Sequence, residues 1–223
     1  PNTVPLINGV KLSGRTNDGL GIGFANAITA KTSAEVTNTD TNETSSIVVE
    51  PVTNYNVLVL DQRLRKNSSI SFVNTNVTRD GLFRDANVTA LVFDLNTKEN
   101  TFALEGDYKY SFVNEYGNEE NKQGYNTFLN FAKTSQKFRF GLGAKYVSQD
   151  YDPNDLGINF QTHYHAYNGN ISFRTLEPTK VFNNINSTIG YYTEFDNITS
   201  KIQANSLSAN INFTTVQNDS FNF

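Results

Sequence analysis

Apolar and polar positions alternate with a period of two along most of this chain. In residues 20–28 one face carries Leu20, Ile22, Phe24 and Ile28, interrupted by Asn26, and the other carries Gly19, Gly21, Gly23, Ala25 and Ala27. In residues 101–112 the sets are Phe102, Leu104, Gly106, Tyr108, Tyr110 and Phe112 against Thr101, Ala103, Glu105, Asp107, Lys109 and Ser111. Residues 137–147 repeat the theme, with Phe138, Phe140, Leu142, Ala144 and Tyr146 against Lys137, Arg139, Gly141, Gly143, Lys145 and Val147. Strand side chains point alternately to opposite faces, so this pattern predicts strands, whereas a helix would scatter Phe102, Tyr108 and Phe112 around its circumference. Further strands are predicted at about 6–16, 53–65, 68–78, 86–96, 122–133, 167–177, 181–195 and 198–215. No segment shows the apolar spacing of an amphipathic helix.

The breaks carry turn chemistry: Asn17-Asp18-Gly19, Arg65-Lys66-Asn67, Asn96 to Asn100, Thr134-Ser135-Gln136 and Asp196-Asn197. Longer polar links at about 31–52, 79–85, 114–121 and 148–166 alternate with these short ones. The order predicts an all-β antiparallel meander of about ten to twelve strands joined by hairpins.

Strand length bears on the solvent. Strands in soluble domains run about 5–6 residues, and a barrel strand crossing a bilayer needs about 9–11. The predicted strands match the second figure. One face is repeatedly Gly, Ser, Thr, Asn or charged, as in a wet lumen. Short turns alternate with long loops, and aromatic residues crowd strand ends at Tyr110, Phe112, Tyr125, Tyr146, Tyr151, Tyr191, Tyr192 and Phe195. These features point to an up-and-down transmembrane β-barrel. A soluble β-sandwich with its aromatic residues in the core is the competing reading, since it alternates too. The barrel reading places Leu20, Ile22, Phe24, Phe102, Leu104, Phe138, Phe140, Leu142, Ile185 and Ile189 toward lipid. It places Lys11, Arg15, Gly21, Gly23, Glu105, Asp107, Lys109, Arg139 and Lys145 toward the lumen.

Composition narrows the function. The chain has 223 residues, 18 basic and 22 acidic, for a net charge of −4, which does not suit a generic nucleic-acid binder. It lacks Cys, so disulfides, thiol catalysis and Cys-ligated metals are excluded. Asn is unusually frequent, and Asn-x-Ser/Thr triplets recur, as at Asn42, Asn67, Asn76, Asn87, Asn170, Asn186, Asn197 and Asn212. Several fall inside predicted strands, which argues that they reflect composition and not glycosylation.

No catalytic constellation and no cofactor motif emerges. Asp150-x-Asp152-x-Asn154-Asp155 opens like a calcium loop, but an EF-hand needs Gly at the sixth position and Glu at the twelfth, where this chain has Asp155 and Gln161. An irregular Ca²⁺ site on an acidic loop and a plain polar turn are the two readings. His163 and His165 would share a face if both lay in a strand, and read as a polar loop-to-strand junction. Glu119-Glu120 reads as a solvated pair in a polar loop. Gly19-x-Gly21-x-Gly23 keeps strand period with no helix following, so it is not a dinucleotide loop.

The ordered segments Gly9-Val10-Lys11-Leu12-Ser13-Gly14-Arg15-Thr16, Gly19-x-Gly21-Ile22-Gly23, Asn26-Ala27-x-Thr29, Val49-Glu50-Pro51-Val52-Thr53-Asn54-Tyr55, Asn76-Val77-Thr78-Arg79-Asp80 and Asp150-Tyr151-Asp152-Pro153-Asn154-Asp155-Leu156-Gly157 carry a resemblance. Over about residues 5–195 the chain resembles a Bacteroidota outer-membrane β-barrel family of unknown function, in which the barrel follows a carbohydrate-binding domain of the family-nine type. The resemblance implies an outer-membrane location, lipid and other outer-membrane proteins or saccharide as partners, and no established catalytic residues. It also implies an N-terminal sandwich domain and further strands outside this chain. With Pro1 first and no secretory signal, the chain is expected to be part of a larger barrel and not to close on itself. Two functions follow as expectations: a transport or channel component for a solute, linked to saccharide by the attached domain, or a structural or anchoring subunit of a larger outer-membrane complex with a non-conducting barrel.

Overall fold

The computed structural model describes residues 4–116, 120–157 and 161–223. Its strands are β1 (Leu6–Arg15), β2 (Leu20–Thr29), β3 (Thr32–Thr37), β4 (Thr44–Glu50), β5 (Thr53–Leu64), β6 (Ser68–Arg79), β7 (Asp85–Asn96), β8 (Phe102–Asn114), β9 (Lys122–Lys133), β10 (Phe138–Val147), β11 (Tyr164–Arg174), β12 (Phe182–Asp196), β13 (Ile202–Thr215) and β14 (Ser220–Asn222). Twelve of them form one sheet in the order β1-β2-β5-β6-β7-β8-β9-β10-β11-β12-β13-β14, and β3 pairs only with β4. Every pairing is antiparallel.

The sheet is open. β1 and β14 are its edges and do not pair with each other, as the expectation of a wall that does not close on itself required. The β3–β4 hairpin corrects the reading of 31–52 as a plain link. Its alternation, at Ala34 and Val36, is too short and too polar to stand out from a loop. β11 also begins at Tyr164 and ends at Arg174, earlier than the 167–177 expected.

The two ends of the meander differ in connection length. At the turn end, three hairpins share one device. In Thr16–Gly19, Thr97–Asn100 and Thr215–Asn218 the last residue donates its N–H to the first residue's carbonyl, at 3.1, 2.9 and 3.0 Å. That last residue holds φ of +87°, +53° and +69° respectively. The opening Thr Oγ1 accepts from a following backbone N–H at 3.1, 2.8 and 3.2 Å. Gly and Asn are the residues that tolerate this left-handed conformation, which is why they close these turns. The loop end carries the segments between β6 and β7, between β8 and β9, and between β10 and β11.

The two faces of the sheet differ more sharply. Directly opposed residues share a face, so Ile22, Leu60, Phe72, Leu91, Tyr108, Tyr146, His165 and Phe195 lie on one side. We call this the aromatic face. Its large side chains are exposed: Phe138 at 64%, Leu142 at 60% and Ile189 at 60%. Arg15, Asp61, Ser71, Asp107, Lys145 and Glu194 share the other, polar face. There the residues nearest the loop end are buried, with Val113 and Val147 at 0%. The apolar set is therefore not sealed between packed sheets, as a sandwich would require.

Candidate functional site

The loop end of the polar face holds the densest chemistry in the chain. Val147, Tyr151, Tyr164 and Ala166 form a buried cluster there, with Tyr192 packed against it. Tyr151 does not belong to a strand. It lies in the link between β10 and β11, and this link folds back over β8 and β9. The Asp152 N–H donates to the buried Ser111 Oγ at 3.0 Å. A Cβ on Gly124 would lie 2.1 Å from the Tyr151 backbone nitrogen. Only a glycine in β9 leaves room for a second backbone at that approach.

Two arginines tie the loop down. Arg79 ends β6 and contacts Asp155 Oδ1 at 2.8 Å. Arg84, from the link between β6 and β7, reaches Asp155 Oδ2 at 2.7 Å, Asp152 Oδ2 at 2.9 Å and Glu115 Oε1 at 3.1 Å. Lys122 meets the same Glu115 oxygen at 3.3 Å. Both oxygens of Asp155 are thus taken by guanidinium groups, Arg79 on one and Arg84 on the other. Partial burial works against the Arg84 charge, but hydrogen bonds to Asp155 and Asp152 outweigh it and hold its pKa above the usual arginine range. For Asp152, burial opposes ionisation, yet the Asn154 backbone N–H and Arg84 together draw its carboxyl below the usual range. Burial, and secondarily the field of Asp107, push the Tyr151 phenol up to about 12.

The four residues considered for Ca²⁺ therefore serve different ends. Asp152 and Asp155 are acidic partners of the arginines, and Asp152 Oδ1 also accepts the Asn154 N–H at 3.0 Å. Asp150 packs its backbone against Gly124. Among the described residues, no group of three or more acidic or His side chains is placed to hold a metal ion. The two histidines do not share a strand face. His163 precedes β11 with φ of +70°, which ends the alternation, and its Nε2 lies 3.8 Å from Asp196 Oδ2. His165 sits on the aromatic face, stacked between Tyr146 and Phe195 at 6.4 and 5.2 Å. Glu119 lies outside the described residues.

The charged residues expected on one face do fall there. Arg15 pairs with Asp61, and Asp61 also accepts from Ser71 at 2.7 Å. Gly21 lets this happen: a Cβ there would meet the Arg15 guanidinium at 2.8 Å. Lys109 contacts Asp107 at 2.7 Å along the same strand. Glu105 accepts from Asn130 at 3.0 Å. Lys145 stands 5.3 Å over the Tyr164 ring, within cation–π range. Arg139 keeps its Nε buried with no partner among the described residues, and Lys11 opposes Ala25 at the exposed edge. Gly23 opposes Val59. Buried Glu194, which the sequence reading missed, accepts from Tyr192 at 2.5 Å and Gln161 at 2.8 Å.

The aromatic face carries rings in series. Tyr108, Tyr125, Tyr146, His165 and Phe195 stack at 6.3, 5.4, 6.4 and 5.2 Å, with interplanar angles of 21°, 11°, 11° and 13°. Near the turn end the rings are phenylalanines: Phe102 on Phe131, Phe131 on Phe140 and Phe138 on Phe173. Two of the aromatic residues expected at strand ends do not join this face. Tyr151 is in the folded-back loop, and Tyr192 is on the polar face.

These features define an all-β protein built on one open antiparallel sheet, apolar and exposed on one side, charged and loop-covered on the other. The chain belongs to the family described as domain of unknown function (DUF5916), whose model matches residues 1–223. Comparison with the curated proteins found no match, and comparison with the solved structures found none either.

Proposed function

We propose that this sheet is the wall of an outer-membrane β-barrel and that the barrel is a transport or channel component for a polar solute. One observation carries the membrane part. The largest apolar side chains of strands 10–15 residues long stand exposed on a single face, where water would penalise them and lipid would not. Dimensions agree. Tyr146 lies eight residues along β10 from Phe138, about 27 Å of strand, or about 21 Å of depth at a tilt of ~40°. Closure then requires the edges at β1 and β14 to be paired, because an open edge in hydrocarbon leaves backbone groups unsatisfied.

The transport part rests on the polar face, whose charges run across most of the sheet in one register row. A second reading, a structural or anchoring subunit with a blocked barrel, is favoured by the arginine-held loop lying over that same face. Reconstituting the full-length protein in planar bilayers separates the two. Steady open channels support transport, and silence together with a co-purifying outer-membrane protein supports the anchoring role. A full-length protein that stays in the aqueous phase on detergent partitioning would overturn both.

A further inference from the structure

Four asparagines stand in one register row on the aromatic face: Asn26 opposite Asn56, Asn56 opposite Asn76, and Asn76 opposite Asn87. Asn54 and Asn74 lie one pleat away on either side. Asn26 Nδ2 donates to Asn54 and Asn56 Oδ1 at 2.6 and 2.8 Å. Asn74 Nδ2 donates to Asn87 Oδ1 and Thr89 Oγ1 at 3.1 and 2.8 Å. The amide N–H groups of Asn54, Asn56 and Asn76 have no acceptor among the described residues.

Height makes the row informative. Asn56 is eight residues from the turn-side end of β5, Asn76 eight from that of β6, and Asn87 nine from that of β7. Tyr110, Tyr125, Tyr146 and His165 stand eight or nine residues from the corresponding ends of β8, β9, β10 and β11. The amides and the rings thus form one continuous belt. Its chemistry changes from tyrosine and histidine on β8–β11 to carboxamides on β5–β7. Amide N–H groups cannot face acyl chains without partners, so this half of the belt meets a layer that supplies hydrogen-bond acceptors.

Resting on the membrane reading above, we propose that the asparagine row binds the neutral sugar headgroup of a glycolipid at the loop-end surface of the bilayer. Carboxamides offer a donor and an acceptor side by side, which matches vicinal hydroxyls. The row spans three strand spacings, about 14 Å, enough for more than one sugar. Phe24 and Leu58, two residues toward the turn end, provide an apolar seat for the chain tops. No Lys or Arg of β2, β5, β6 or β7 lies on this face. Asp85, one step toward the loops, is engaged by the Arg79 N–H and the Tyr116 hydroxyl. A phosphate headgroup therefore finds no cation here.

The test uses the full-length protein in vesicles of phosphatidylcholine containing digalactosyl diacylglycerol, with lipid retention read by native mass spectrometry. The wild type is expected to keep the galactolipid at least ten-fold over phosphatidylcholine. Asn56→Leu/Asn76→Leu/Asn87→Leu is expected to lose that preference, and the matching Gln variant, which keeps the amides, to hold most of it. Equal retention of both lipids by the wild type, or a preference that survives in the Leu variant, overturns the proposal. So does equally tight binding of soluble digalactose, or a dimer that the Leu variant dissociates with no lipid preference. Insertion of the wild type into vesicles, scored separately, tells failure of this proposal from failure of the membrane reading.

Discussion

Adjacent residues of β10 obey opposite rules. Leu142 stands 60% exposed while its neighbours Gly141 and Gly143 are buried. On the aromatic face size is spent on the outside, and rings stack on one another instead of on a core. On the polar face small residues are buried under their neighbours: the Asn170 and Asn168 side chains lie over Gly141 and Gly143, and the Tyr151 backbone lies over Gly124. A single antiparallel sheet therefore has two different surroundings, and every strand is written for both at once. The apolar face would be a defect in water, and the same face is an ordinary exterior in lipid.

The contrast breaks most severely where the loop is tied. Replacing both Arg79 and Arg84 with Met leaves Asp155, Asp152 and Glu115 without their principal cations in partly buried positions. We expect a loss of about 3–5 kcal/mol by denaturant unfolding, together with protease cleavage within 148–157. An unchanged cleavage pattern would mean that packing, and not the ion pairs, holds the loop. On the other face, Leu142→Arg should cost about 2–4 kcal/mol of folding stability in vesicles if it sits near mid-bilayer. Lys145→Leu, three residues on and facing the other way, should cost far less. Comparable losses from the two would erase the distinction between the faces.

Two smaller effects sharpen the account of the loop. Gly124→Ala places a methyl against the Tyr151 backbone, for a cost of about 1–3 kcal/mol. Hydrogen exchange at the Asp152 amide, which is bonded to Ser111, should accelerate in that variant. The pH dependence is smaller still. The Tyr151 pKa is raised to about 12, so its contribution is present below the ordinary phenol value near 10 and is lost as pH rises through about 12. Asp152 is shifted the other way: its contribution is present above the ordinary carboxyl value and is lost as pH falls through its lowered one. Tyr151→Phe should flatten the alkaline loss. A phenolate signal near pH 10 that Tyr151→Phe removes would contradict the burial of this ring.

Most strands were legible because alternation is a local signal that survives for ten or more residues, as in Phe102 to Phe112 and Phe138 to Tyr146. The charged residues Arg15, Asp107 and Lys145 were assigned to their face by the same parity. What alternation does not carry is contact between segments distant in the chain. Nothing local joins Arg84 to Asp155, although acid-rich 150–155 and arginine-bearing 79–84 both interrupt the strand pattern and so hinted at a pairing. Asp152 and Asp155 looked like ligands because a sequence shows carboxylates without their counter-charges. The β3–β4 hairpin was hidden by polar residues on both faces. Of the asparagine row, Asn76 and Asn87 read as composition and Asn26 as an interruption of an apolar face, and only the register of four strands lines them up with Asn56.

The central claim is that the aromatic face meets lipid and the polar face meets water. The absence of cysteine from these 223 residues makes single-cysteine labelling direct. Leu142→Cys and Lys145→Cys, each in the full-length protein reconstituted in vesicles, would be exposed to a membrane-impermeant maleimide and, once carrying a fluorophore, to bromine-labelled lipid. The account predicts that Cys at 142 resists the maleimide and is strongly quenched by the lipid, while Cys at 145 reacts and is quenched little. Rapid aqueous labelling at 142, with no quenching by lipid at either position, would contradict it.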